Sequence, residues 1–289
     1  MDSIQIVCEE CIFISLESEV DTALEAVNPG AVISSLIQKA KRTVLNIFER
    51  IITIVRNIRN LFRKHKKVYL TENSIKMIRE GISIVNKATH MVDDLPSILG
   101  IQLIRSGSKT ISDKIDAAYD VRDDIQKMSM KFSSDMTEKL LDQKYSDDKP
   151  LDGKIVEYTE YDTDIRYLTQ VEDRMHRLIG EIKKADTKLQ DIISKHPTPQ
   201  NAPIDVETYA RNSKAIDEEY GAKSAKFITY YFSAYGSAVT QLLRLVTIVQ
   251  NAINSAFQIA QKKGVKTPSE LRRKSEYIDP TEFKFKDDD

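Results

Sequence analysis

The chain of 289 residues has no Trp, only two Cys, nine Gly and eight Pro. Glycine and proline at about 3% each sit below the usual roughly 7% and 5%, so the chain has few places to turn and long helices follow. Two thiols cannot build a disulfide scaffold, and no basic start, apolar run and small-residue cleavage site combine near the N-terminus. The expected setting is therefore reducing or intracellular. A strong charge of one sign is also lacking: 30% charged residues leave a net charge of -1. That balance excludes a highly charged disordered chain, a uniformly basic nucleic-acid coat and an acidic solvating tail.

Catalytic signatures are missing too. The chain holds no P-loop, G-x-G-x-x-G, G-x-S-x-G, H-E-x-x-H or EF-hand loop. Cys8 and Cys11 have CxxC spacing, but zinc normally needs four ligands, and His65, His90, His176 and His196 are scattered without a second paired motif. Two glutamates between the thiols oppose the electropositive surroundings a redox thiolate needs, so the pair reads as two small hydrophobes. Asp93-Asp94 and Asp123-Asp124 are adjacent, so on a helix each pair diverges by about 100° and reads as a solvated face. Glu172, His176 and Gly180 share i, i+4 spacing but offer only two ligands, and no Glu-x-x-His occurs. The expectation is a protein without catalytic residues, metal or cofactor.

What the chain does contain is long apolar periodicity. Prolines at 29, 96, 150, 197, 199, 203, 268 and 280 bound the possible helices. Turn-forming residues cluster at Asn28-Pro29-Gly30, 146–153 and 196–203. Between them, Ile33, Ile37, Ala40, Val44, Ile47, Ile51, Ile54, Ile58 and Leu61 alternate four and three residues apart, which is a heptad seam. Leu36, Leu45, Phe48, Ile52, Val55 and Phe62 widen it to about half the circumference, more than one partner helix covers. A second seam runs through Ile228, Phe232, Tyr235, Val239, Leu242, Val246, Val249 and Ile253. Arg244 is the only charge between Lys226 and Lys262, so that helix belongs in the middle of a bundle or against a partner. Its flanks carry Gln241, Gln250, Asn251 and Asn254, which argues against a bilayer span.

The stretch from Tyr161 to Ile192 repeats the spacing with charged faces and reads as an outer helix. Looser helices are expected near 73–94 and 109–145, with Thr71 to Ser74 as capping residues and Asp94-Leu95-Pro96 as a stop. Residues 97–104 read as a connector. A sheet is not expected after residue 20, and the β-branched segment 4–16 is ambiguous. The fold expected is all-α: an elongated multi-helix bundle over 31–263 with connectors near 96–108, 146–153 and 196–203. An acidic N-terminal segment, 1–30, and an extended C-terminal arm, 264–289, flank it.

Charge is asymmetric within this frame. Residues 1–30 carry -7, and residues 31–70 carry +9. The basic candidates are Lys39, Arg42, Arg50, Arg56, Arg59, Arg63, Lys64, Lys66 and Lys67. Three readings stay open: the charged outer face of an ordinary core helix lying near the acidic segment, an interfacial helix binding anionic membrane, or phosphate neutralisation on nucleic acid. Protein partners or self-association through the two seams form the leading expectation.

The richness in Ile and Lys, the absence of Trp, the basic amphipathic stretch from Arg42 to Lys67 and the ending DPTEFKFKDDD resemble, in overall style, helical virion structural proteins of large tailed bacteriophages. The resemblance implies virion assembly or packing inside a capsid or tail, and with it a place within a virus particle.

Overall fold

The computed structural model describes residues 6, 11–16, 18–19, 22, 29–64, 69–95, 108–136, 155–158, 161–194 and 207–262. Five long helices carry the architecture: α1 Pro29–Lys64, α2 Glu72–Asp93, α3 Ser108–Met136, α4 Tyr161–Ser194 and α5 Glu207–Lys262. At 56 residues α5 is about 84 Å long. The fold is all-α, as the low glycine and proline content requires.

The packing partners define a ring. α1 packs on α5 and α4, while α2 packs on the same two helices, so α1 and α2 face each other across the ring and α3 lies outside it on α5 and α2. Directions follow from side-chain pairs. Phe48 meets Tyr235 and Phe62 meets Phe257, so α1 and α5 run parallel. Arg56 reaches Glu172 while Arg59 reaches Thr169, so α4 runs antiparallel to α1. Arg79 approaches Asp164 and Asn86 accepts from Arg174, so α2 runs alongside α4. Two helices point each way, and like-directed helices are neighbours.

The core lies where the heptads place it. Ile37, Ala40, Val44, Ile47, Ile51, Val55 and Ile58 on α1 are buried, as are Phe232, Tyr235, Val239, Leu242, Val246, Val249 and Ile253 on α5. Each fully buried aliphatic or Phe side chain contributes roughly 1.5–3 kcal/mol against leaving it in water. The second seam is thus buried in the middle of the bundle, one of the two places expected for it; the side chain of Ile228 lies outside the described residues. α2 comes close to its neighbours at Gly81, where a Cβ would stand 2.8 Å from Phe132 Cζ and 3.1 Å from Val249 Cγ1. A larger residue there would force the Phe132 and Val249 side chains to shift.

One end of the ring is closed by a feature the sequence argued against. Tyr69–Thr71 (β1) and Ile155–Glu157 (β2) form an antiparallel pair with Leu70 opposite Val156. Three residues are too few to show alternation, so the expectation of no sheet is corrected here. The pair ties the start of α2 to the start of α4. Beneath it Phe62, Tyr158, Phe257 and Tyr161 form a chain of edge-on and tilted rings 5.8–6.3 Å apart. Thr71 ends β1 and caps α2 at once, its hydroxyl oxygen accepting from Ser74 N at 3.1 Å. The stop at Asp94 falls where the approaching Pro96 requires it.

At the other end the acidic segment is docked. Residues 11–16, the described run of the ambiguous 4–16 segment, are helical, and Phe13 and Leu16 are fully buried. Ser233 Oγ donates to the Phe13 carbonyl at 2.7 Å, and the Phe13 ring fills the space a side chain at Gly236 would need. The turn expected at Asn28-Pro29-Gly30 is also corrected. Helix α1 starts at Pro29, because a proline at the first helical position has no amide to leave unsatisfied. The connectors 96–108 and 146–153 fall outside the described residues, except Ser108, where α3 begins. The connector 196–203 and the arm 264–289 fall outside them entirely.

Candidate functional site

Among the basic candidates the structure separates two groups. Arg56 and Arg59 turn toward α4 and converge on Glu172, which is buried. Arg56 Nε donates to Glu172 Oε1 at 2.6 Å, and Arg59 Nη1 stands 2.7 Å from Oε2 as an ion pair without hydrogen-bond alignment. Arg59 also donates to Thr169 Oγ1 at 3.2 Å, and Arg56 Nη2 lies 3.1 Å from His176 Nε2. Burial by itself raises the proton affinity of the Glu172 carboxyl. The Arg56 hydrogen bond and the charges of Arg59, Arg56 and His176 outweigh it and hold the group below the ordinary carboxylate value. Glu172 and His176, one helical turn apart, therefore belong to an arginine clamp.

The second group faces outward. Lys39 is exposed and lies 3.8 Å from Glu19 of the acidic segment. Arg42 and Arg63 are exposed, and Arg50 is half-buried with a polar contact of its own. The side chain of Lys64, together with Lys66 and Lys67, lies outside the described residues. Lys41, absent from the candidates, is buried, which pushes its pKa down. On a stripe read only as heptads, nothing marks that lysine for burial.

Exposed positions on α1 run Ser35, Lys39, Arg42, Asn46, Glu49, Thr53, Arg56, Asn60 and Arg63, three and four residues apart along the whole described face. The corresponding line on α3 is Asp113, Asp116, Asp120, Asp124, Lys127 and Lys131. Within it Lys127 donates to Asp124 at 3.2 Å, and Arg122 pairs with Asp123 beside it at 2.7 Å. Asp93, expected on a solvated face, is instead mostly covered and paired with Arg177 of α4. Arg177 donates as well to Glu181 at 2.8 Å.

A further polar group sits under the sheet. Tyr158 donates to Asp164 while the Arg79 guanidinium lies 5.5 Å over the Tyr158 ring and 3.9 Å from Asp164. Burial first, and then the Asp164 carboxylate, push the phenol far up, so it stays protonated as the donor. This constellation pins α2, β2 and the first turn of α4 together.

Among the described residues no group of three or more His, Cys, Asp or Glu is placed to hold a metal ion. Cys11 is a free exposed thiol, and Cys8 lies outside the described residues. Thr229–Ile259 is long and apolar enough to cross a membrane by length and composition, and most of it is buried in the bundle. Against known proteins, the chain matches no family model, no curated protein and no solved structure.

Proposed function

We propose that this chain is a non-enzymatic structural protein that works by contact, presenting rigid helical faces to protein partners or to further copies of itself in an assembly such as a bacteriophage virion. The observation that carries this reading is the division of labour among its charged residues. Arg56, Arg59 and Glu172, Asp93 and Arg177, and Asp164 with Arg79 are spent on joining helices, while α1 and α3 keep unbroken polar lines outward. Clamps on covered carboxylates fix the helices to one another, and ordered polar faces suit repeated docking without folding cost.

Crosslinking mass spectrometry of the native assembly tests it. Crosslinks from Lys39, Lys127 or Lys131 to another protein or a second copy are expected. Only intrachain links, with a monomer by light scattering, would overturn the reading.

Thr229–Ile259 supports a second reading, a membrane-active protein in which α1 leaves the bundle for anionic lipid and uncovers the apolar α5. Co-sedimentation with anionic vesicles at low salt is its signature. Nucleic-acid packaging is less favoured, because Arg56 and Arg59 are drawn toward Glu172 and away from any phosphate backbone.

A further inference from the structure

The outward lines of α1 and α3 carry opposite charge on different sides of the bundle. With Arg56 held by Glu172, α1 offers Lys39, Arg42 and Arg63 against one acid, Glu49, while the first four residues of the α3 line are Asp113, Asp116, Asp120 and Asp124. Among the described residues the main packing of the two helices is on different neighbours: α3 lies on α5 and α2, and α1 on α5 and α4. We infer that a second copy of this chain docks its α3 aspartate face on the α1 arginine face, a head-to-tail contact that deepens the structural reading above and rests on it.

Three observations support the match. Lys39 and Arg42 are three residues apart, as are Asp113 and Asp116, so both pairs sit close to one helical turn apart, about 4.5 Å, and helices laid side by side bring them into register. Successive aspartates three and four residues apart repel one another along α3, and cations from outside relieve that repulsion. The helix dipole does not explain them, since it acts within the first turn and Asp113 is already the sixth residue of α3. Finally, Met130 stands 66% exposed beside Lys127 and Lys131, just past the aspartates on the same helix, a large apolar side chain that a longer docked helix would cover. Because the two faces differ, the contact is heterologous, and it propagates into a ring or filament unless its rotation closes.

Sedimentation velocity on the full chain tests this. Wild type is expected to associate with rising concentration at about 0.01 M salt and to become monomeric near 1 M, where the screening length falls from roughly 30 Å to roughly 3 Å. R42E/R63E and D116K/D120K alter only exposed positions. Each is expected to abolish self-association with an unchanged helical spectrum, and mixing the two is expected to restore it, since each then supplies the charge the other lacks. A wild type that stays monomeric at low salt, or reversed variants that associate as wild type does, overturns the inference. Crosslinks to a different protein would meanwhile leave the broader structural reading standing, so the two failures are distinguishable.

Discussion

α5 and α4 both pack on α1, yet by different means. The α5 contact is anchored by apolar rings, with Phe48 edge-on to Tyr235 and Phe62 tilted on Phe257. The α4 contact adds to its apolar residues a bidirectional charge clamp, Arg56 and Arg59 on Glu172. Apolar contact depends on area and is indifferent to direction, whereas the clamp depends on a few atoms and on their ionisation. The first should survive salt and acid. The second should not.

The largest expected effect breaks the apolar side. Phe48→Ala removes a fully buried ring and should cost about 3–5 kcal/mol in denaturant unfolding. A loss smaller than that of the clamp variant would reverse the comparison. Glu172→Gln keeps the shape and deletes the charge, and should cost about 1.5–3 kcal/mol, the range for hydrogen bonds to charged groups. Wild-type stability would show that the clamp contributes nothing.

Acid sharpens the contrast. The folded Glu172 carboxyl titrates below its ordinary 4.5, so its contribution is fully present above that value and is lost as pH falls through the lower folded value. Urea midpoints of wild type and Glu172→Gln should therefore converge on acidification; a constant gap would mean that the depression of the carboxyl does not couple to folding. Thr71→Ala, which loses the cap of α2, should cost about 1 kcal/mol by thermal melting. Arg177→Ala, on an exposed guanidinium, should cost less than about 1 kcal/mol, and the small loss should shrink further in salt.

The same contrast explains what the sequence made legible. The buried faces of α1 and α5 were readable because a 3.6-residue turn imposes its period on adjacent positions of one segment. The clamp was not, since Arg56 and Glu172 are 116 residues apart and no local pattern links them. The spacing of Glu172 and His176 was visible, but its use needed the arginines of another helix. Strands β1 and β2 were hidden by their brevity, and the notch at Gly236 by its dependence on Phe13, more than two hundred positions earlier. Of the basic candidates, sequence could assign a face but could not tell Arg42, which points to solvent, from Arg59, which is mostly covered.

The parallel seating of α1 beside α5 has a consequence for how the molecule is made. During synthesis the first long helix emerges about 190 residues before the side chains of α5 that shelter it, because Phe48 waits for Tyr235 and Phe62 for Phe257. For that interval the ribosome carries a sticky amphipathic rod, prone to meeting neighbouring nascent chains before its own terminus arrives.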